Sequence, residues 1–328
     1  MEVCDFNQQI LDRKRVGLLR TNWFSFVLKV VQVLVVSQNL SDKLRKHSLF
    51  DKFSTDVCNY AASGGHLDIL KWARKNKCHW SQVTCALAAR GGHLEVLKYL
   101  RKPTFLIKPC PWNEETCTLA AYSGNLEILQ WARENGCPWN EYTCSAAASG
   151  GHLELLKWAR KNRCPWSDRT CAEATRAGHY EVLVWARMNG CDWNRECCIH
   201  AARNGNLEML KWLRKNGCPC DDATFSSAAS GGHLELMKWL KEQECPWNEF
   251  ACSNAARGGH LEVLKWLREN GCPWSEQTCA SAAEGGHLEV LKWARENGCN
   301  WDRFTYTSAL RNGHLDVCKW ALENGCVT

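Results

Sequence analysis

The chain of 328 residues is long enough for two ordinary domains, and 45% apolar residues, 23% charged residues and 8 Pro make a globular balance. This composition excludes a collagen-like or disordered chain, although 18 Trp and 22 Cys are unusually many. The net charge is +6; residues 1–52 hold nine Lys/Arg against five Asp/Glu, and the remaining chain holds 32 against 30. Because a dedicated nucleic-acid binder carries a large basic excess, we expect no nucleic-acid partner.

Residues 1–52 precede any repeated pattern and contain one strongly apolar run, Trp23–Val36. This run is 14 residues long and includes Lys29, whereas a spanning helix needs about 20 apolar residues. The basic residues 13–15 before it and Ser37 after it also resemble parts of a signal peptide. We favour a buried helix that caps the first repeat, and we expect no membrane anchor.

From Phe53 onward one phrase recurs, W-[N/S/D]-x-x-T-C-x-x-A-A-x-x-G-H-L-E-V-L-K-W-A-R-E-N-G-C-P. Each step between successive G-H pairs is 27 residues, except the step from His93 to Asn125, which is 32. The five extra residues lie inside Pro103–Pro109. A fixed period in this range predicts a stack of supersecondary units. We therefore expect ten repeats over residues 53–328 and no second domain.

Each repeat is predicted to form two helices joined by a loop. The first helix follows an N-cap residue whose side-chain oxygen can accept from free backbone N–H groups. These residues are Ser81, Asn113, Asn140, Ser167, Asn194, Asp221, Asn248, Ser275 and Asp302. The second helix, as in Leu261–Asn270, ends at Asn-Gly followed by Cys-Pro. One of its sides is apolar, and the other carries the charged stripe Glu262, Lys265, Arg268 and Glu269, which we interpret as a solvated outer face. Glu262–Lys265 and Lys265–Glu269 are at pairing distance on this stripe.

The segment Ala282–Lys292, like its counterparts in the other repeats, resembles the helix–loop–helix core of the ankyrin repeat. That resemblance implies an all-α, ankyrin-like helical solenoid whose first helices line a concave side. Ankyrin repeats have about 33 residues, so here the projecting β-hairpin fingers are shortened or absent. The array resembles the shortened, Trp- and Cys-rich ankyrin repeats of some giant viruses and lower eukaryotes. We expect the link Trp, as at Trp274, to replace the hairpin as a seal between repeats.

Cysteines fall into two columns, one in the first helix and one after the second helix. Phe225 and Tyr306 replace the helix cysteine in two repeats, which indicates a need for apolar bulk rather than sulfur. Equivalent positions in a stack lie about 10 Å apart, too far for disulfides. Zinc sites favour C-x2–4-C pairs, and Cys218 with Cys220 is a lone near pair. We therefore expect no metal and no cofactor, with reduced thiols in the cytoplasm or nucleus.

The repeated histidines of the G-H pairs cannot mark one active site, and we expect them to hydrogen-bond loop backbone. No catalytic motif is present in the sequence, so we expect no enzyme. His200 stands alone on a first helix, where a surface role is more common than a catalytic one.

Recognition is predicted where the repeats differ, at positions three, seven and ten residues after the link Trp. These positions share one face of the first helix, and aromatic and Arg residues dominate interface hot spots. The candidate partner-binding residues are Arg90, Tyr122, Tyr142, Arg176, His200, Arg203, Phe250, Arg257, Phe304 and Arg311. Neutral drift on an unused surface is the alternative explanation of the variation.

The leading hypothesis is a monomeric scaffold that binds a partner protein on the concave face. The alternative is a substrate receptor of a ubiquitin ligase, with an F-box-like module in residues 1–52. The apolar residues Phe105, Leu106 and Ile107 of the insertion form a second candidate contact, or else fold back over the repeat junction.

Overall fold

The computed structural model describes residues 49–103 and 108–326. Every regular element in these two ranges is an α-helix, which confirms the all-α prediction for the described residues. Residues 1–48 of the predicted cap (residues 1–52), with the apolar run Trp23–Val36, lie outside these ranges, as do the insertion residues 104–107. The chain divides into two compact units, Met1–Thr143 (unit 1) and Cys144–Thr328 (unit 2).

Two kinds of helix alternate along the described chain. The first helices are α1 (Leu49–Ser63), α3 (Gln82–Arg90), α5 (Glu114–Tyr122), α7 (Glu141–Ser149), α9 (Asp168–Arg176), α11 (Arg195–Arg203), α13 (Asp222–Ser230), α15 (Glu249–Arg257), α17 (Glu276–Gly285) and α19 (Arg303–Asn312). The second helices are α2 (Leu67–Lys75), α4 (Leu94–Arg101), α6 (Leu126–Glu134), α8 (Leu153–Lys161), α10 (Tyr180–Met188), α12 (Leu207–Lys215), α14 (Leu234–Glu242), α16 (Leu261–Glu269), α18 (Leu288–Glu296) and α20 (Leu315–Glu323).

The first helices begin at polar N-cap residues and are rich in small buried side chains. The Asp221 side chain accepts from the Thr224 N–H at 3.2 Å, as the sequence predicts. Ser167 and Ser275 occupy the N-cap position without making a side-chain capping bond, which corrects the prediction there. Paired alanines such as Ala255 are fully buried. Their small size lets α9, α11, α13, α15, α17 and α19 pack each against the next within unit 2.

The second helices supply the larger apolar side chains and end in a defined turn. In α16, Leu264 and Leu267 are fully buried. The helix stops because Gly271 adopts φ +80°, which places the N–H of Cys272 2.9 Å from the carbonyl oxygen of Leu267. Glycine adopts this left-handed conformation without a Cβ penalty. The predicted Asn-Gly stop is therefore confirmed.

A histidine precedes the second helix in most repeats, and it connects neighbouring repeats. His260 Nε2 lies 3.0 Å from the carbonyl oxygen of Ser230, the last residue of the preceding first helix. The same bond joins His93 to Ser63, His179 to Ser149, His233 to Arg203 and His314 to Glu284. Gly232 (φ +75°) lies under the His260 ring, where any Cβ would be only 2.6 Å from Nδ1. The predicted loop contact thus spans two repeats, and glycine makes the approach possible.

The link between repeats contains a layer of Trp and Arg side chains instead of a hairpin. The Arg268 guanidinium lies 4.2 Å from the ring centroid of Trp274 and donates to the carbonyl oxygen of Cys272. Trp274 in turn meets the Trp293 ring edge-on, with centroids 5.9 Å apart. Equivalent Arg–Trp contacts join Arg74 to Trp80, Arg101 to Trp112, Arg133 to Trp139, Arg160 to Trp166, Arg187 to Trp193 and Arg295 to Trp301. The assignment of Arg268 to a solvated stripe was therefore wrong, because the link Trp offers it a π-face.

The link cysteines are buried, and their sulfurs also form hydrogen bonds. Cys299 Sγ lies 3.3 Å from the carbonyl oxygen of Ser275, which caps the first helix of the same repeat. Matching bonds are made by Cys110, Cys137, Cys191, Cys218, Cys245, Cys272 and Cys326. The first-helix cysteine approaches the same link, because Cys279 Sγ lies 4.0 Å from the carbonyl oxygen of Cys299. The apolar bulk that Phe225 and Tyr306 indicate concerns the helix column, whereas the link cysteines combine burial with hydrogen bonds to backbone carbonyls.

Candidate binding surface

The variable positions of the first helices divide into two exposed columns and one recessed column. The positions three and ten residues after the link Trp carry exposed side chains in most repeats. The position seven residues after it is half-buried or buried, as at His200 and Ser281, because it lies where neighbouring first helices pack together. We call the two exposed columns the first-helix face. The sequence predicts recognition at all three positions, and the structure leaves the middle one recessed.

The predicted anchor residues lie on this face in both units. Unit 1 carries Arg90, Tyr122 and Tyr142, and unit 2 carries Arg176, Arg203, Phe250, Arg257, Phe304 and Arg311; all nine side chains are exposed. His200, the tenth predicted residue, lies in the recessed column with a side chain that is 20% exposed. His200 is therefore recessed within the first-helix face, and less of its side chain is accessible to a partner than in the other nine residues.

The aromatic side chains of unit 2 are unusually accessible for their size. Phe250 and Phe304 are 56% and 54% exposed. Arg303 lies against the Phe304 ring, with its guanidinium carbon 5.3 Å from the ring centroid. An exposed phenyl ring loses contact with water when a partner covers it, which stabilises the complex.

The arginines of the face differ in how they are held. Arg176 donates through Nε and a terminal nitrogen to Glu173, at 2.8 and 2.6 Å, and also to Ser149 Oγ at 3.1 Å. Arg257 pairs with Glu284 of the following repeat at 2.9 Å. These pairs orient the guanidinium groups and reduce their net charge. The sequence did not single out Glu173 and Glu284 as partners, although both stand in the variable columns.

His200 is surrounded by charged groups of two repeats. Burial is the main cause that lowers its pKa below 6.5, and the nearby Arg203 and Arg176 lower it further, whereas Glu196 raises it. The His200 ring is therefore neutral at physiological pH, although Nε2 lies 4.0 Å from the Glu196 carboxylate. This ring can donate one hydrogen bond and accept another, which suits a neutral polar contact better than a charged one.

The opposite surface, on the second helices, is neutralised by its own pairs. Lys265 lies 2.7 Å from Glu262, three residues earlier, and both side chains are solvent-accessible. The same pair occurs at Lys98, Lys157, Lys211, Lys238 and Lys292. Exposed pairs of this kind contribute about 0–1 kcal/mol each. The predicted Glu262–Lys265 pairing is confirmed, and this regular surface serves as an internal reference for the first-helix face.

The described residues, 49–103 and 108–326, also bear on two other kinds of site. Among these residues no group of three or more His, Cys, Asp or Glu side chains is arranged to hold a metal ion. None of the helices described is both long and apolar enough to cross a bilayer.

Comparison with known families fits this architecture. Family models described as ankyrin repeats match residues 144–214, 198–278 and 279–322, which together span more than half of the chain. The chain belongs to the ankyrin repeat family. Its ankyrin repeats consist of two short helices and a compact link, and ankyrin repeats are generally modules for binding other proteins rather than enzymes. A search of curated proteins found no match.

Proposed function

We propose that the chain is an interaction scaffold and that its first-helix face binds a segment of a partner protein. The observation that carries this proposal is the contrast between the two surfaces of unit 2. The second helices carry the same Lys–Glu pair in several repeats. The first helices instead expose side chains that differ between repeats, among them Phe250, Phe304 and several arginines. Aromatic and arginine side chains are the types that dominate interface hot spots, which supports a binding role for this face.

The composition of the face defines the chemistry of the partner. Arg203, Arg257 and Arg311 provide planar groups that bind carboxylates with two hydrogen bonds, and Phe250 and Phe304 provide apolar contact area. The best fit is a protein segment that carries apolar side chains next to Asp or Glu. Electrostatic attraction then speeds association and weakens as salt is added.

The ligase-receptor alternative depends on residues 1–52 and stays a prediction. The described part of the chain supplies no observation that favours it over a simple scaffold.

The test compares two variants in quantitative affinity capture from cell lysate. The face variant carries Arg203→Ala, Phe250→Ala, Arg257→Ala and Phe304→Ala. The control carries Lys211→Ala, Lys238→Ala, Lys265→Ala and Lys292→Ala on the second helices. Both variants remove four solvent-accessible side chains of unit 2, and circular dichroism checks that each remains helical.

We expect proteins captured by the wild type and by the control to be lost from the face variant. Hot-spot residues each contribute about 2 kcal/mol or more, so the loss should exceed tenfold. Equal capture by both variants would show that the first-helix face is unused and would reject the proposal.

A further inference from the structure

The repeat formed by α13 and α14 departs from its neighbours in the link before α13 and within α13 itself. Cys220 stands where the neighbouring links carry Trp193 and Trp247. Phe225 replaces the first-helix cysteine, so its ring, rather than a thiol, fills the core position beside Trp247, with centroids 5.0 Å apart. As a result, the sulfurs of Cys220 and Cys245 lie 2.9 Å apart.

This pairing differs from the cysteine contacts of the other repeats. A link cysteine such as Cys299 normally meets a thiol on the first helix of its own repeat, here Cys279. Cys245 instead meets a thiol from the link at the other end of its repeat. Cys218 is the near neighbour of Cys220 in the sequence, but its thiol is directed to the carbonyl oxygen of Asn194, 3.4 Å away.

The pair is also more accessible than the other link cysteines near it. Cys220 is half-buried and Cys245 is 8% exposed, whereas Cys218, Cys272 and Cys299 are fully buried. A small oxidant can therefore reach Cys220 from solvent.

Cys220 is the thiol that ionises first. The hydrogen bond from Cys245 is the main cause that lowers the pKa of Cys220 to about 7, against the opposing effect of burial. The Thr224 hydroxyl and the nearby Arg214 also lower it. Thiolate is the nucleophilic form of cysteine, so a large fraction of Cys220 is reactive at neutral pH.

We propose that Cys220 and Cys245 form a redox-active dithiol that hydroperoxides convert to a disulfide. The Cys220 thiolate attacks one oxygen of hydrogen peroxide and the O–O bond breaks, which leaves a sulfenic acid on Cys220 and hydroxide that is protonated to water. The Cys245 sulfur then attacks the Cys220 sulfur as the S–O bond breaks, and the departing hydroxide takes up the Cys245 proton. Two thiols lose two hydrogens and the peroxide becomes two waters.

The required movement is small. A disulfide needs its sulfurs about 2.0 Å apart, so the two sulfurs have to approach by only about 1 Å. The bond would join the links at both ends of one repeat, and so would tie the start of α13 to the end of α14.

The experiment uses the full chain, fully reduced and then treated with one equivalent of hydrogen peroxide. Remaining thiols are alkylated, and tryptic peptides are sequenced by mass spectrometry. We expect a link between residues 216–238 and residues 242–257 whose fragments place it at Cys220 and Cys245, and dithiothreitol should reverse it. Cys220→Ala and Cys245→Ala should abolish the link, whereas Cys299→Ala, in a buried pair, should leave it unchanged.

A second measurement stays informative even if a variant folds poorly. In the wild type at pH 7, iodoacetamide should alkylate Cys220 before every fully buried link cysteine, and its rate should rise with pH around a midpoint near 7. In Cys245→Ala the rate at pH 7 should fall by about tenfold or more, because the hydrogen bond that favours the thiolate is gone. First oxidation at another pair, or alkylation of Cys220 no faster than that of Cys272, would overturn the proposal.

Discussion

The contact between Gly232 and His260 allows the coupling of neighbouring repeats to be measured. Gly232 and Gly271 have nearly the same backbone conformation, with φ +75° and +80°. A Cβ on Gly271 would meet no atom within 4 Å, whereas a Cβ on Gly232 would lie 2.6 Å from His260 Nδ1. Substitution of either glycine by Ala therefore imposes the same backbone strain, but only the Gly232 substitution also displaces a histidine ring.

The expected loss of folding free energy at each glycine follows from its backbone conformation and from the space around the added Cβ. An L-residue in the left-handed region costs roughly 1–2 kcal/mol, and the smaller entropy of the unfolded Ala chain offsets about 0.5–1 kcal/mol of this. Gly271→Ala should therefore destabilise the protein by about 1 kcal/mol. Gly232→Ala adds about 1–3 kcal/mol of overpacking and weakens the bond from His260 to Ser230, so the total should reach about 3 kcal/mol.

The assay is urea unfolding followed by circular dichroism, with the free energy of unfolding taken from curves of unchanged slope. A double-mutant cycle isolates the contact. In a His260→Ala background the clash is absent, so Gly232→Ala should then cost only about 1 kcal/mol, as Gly271→Ala does. Equal costs for the two glycines in the wild-type background would refute the account of the histidine contact.

Three further predictions concern single side chains. Arg163 has φ +64° where most repeats have glycine, so Arg163→Gly should raise the free energy of unfolding by about 0.5–1 kcal/mol in urea titration; a decrease would contradict the assigned strain. Arg268→Ala should lower the free energy of unfolding by about 2 kcal/mol, because the Trp274 contact and the bond to Cys272 are both lost. Lys265→Ala, by contrast, should change the free energy of unfolding by no more than about 0.5 kcal/mol. The pKa of His200 lies below its unfolded value of 6.5, so protonation favours the unfolded state and this group lowers stability as the pH falls from 6.5 through the folded pKa. Titration of the His200 ring by NMR should show that low pKa, and Arg203→Ala should raise it.

Much of the fold could be predicted because the ten repeats carry their helix ends in the sequence. Asp221 marks the start of a first helix, and Gly271 marks the end of a second helix, through local backbone chemistry that needs no tertiary context. Periodicity also placed Phe250 and Phe304 on one face. In each case the prediction depended on residues only a few positions apart.

What the sequence did not predict are contacts between different helices and links. Arg268 lies in the charged stripe of its own helix, but the Trp274 ring that attracts it belongs to the next link. The burial of Ser281 depends on how closely neighbouring first helices pack. The periodicity of a single helix does not determine that distance. Cys220 was recognisable as a departure from the Trp column, yet its partner Cys245 is 25 residues away and becomes apparent only when the repeat is folded.

The central claim, that the first-helix face contacts a partner, is tested most directly by site-specific photo-crosslinking in cells. Benzoylphenylalanine is introduced in place of Phe250 or Phe304, and, as a control, in place of Lys238 on a second helix. The account predicts the same crosslinked protein from both face positions and none from the control position. Crosslinking from the Lys238 position alone, or equally from all three, would contradict it.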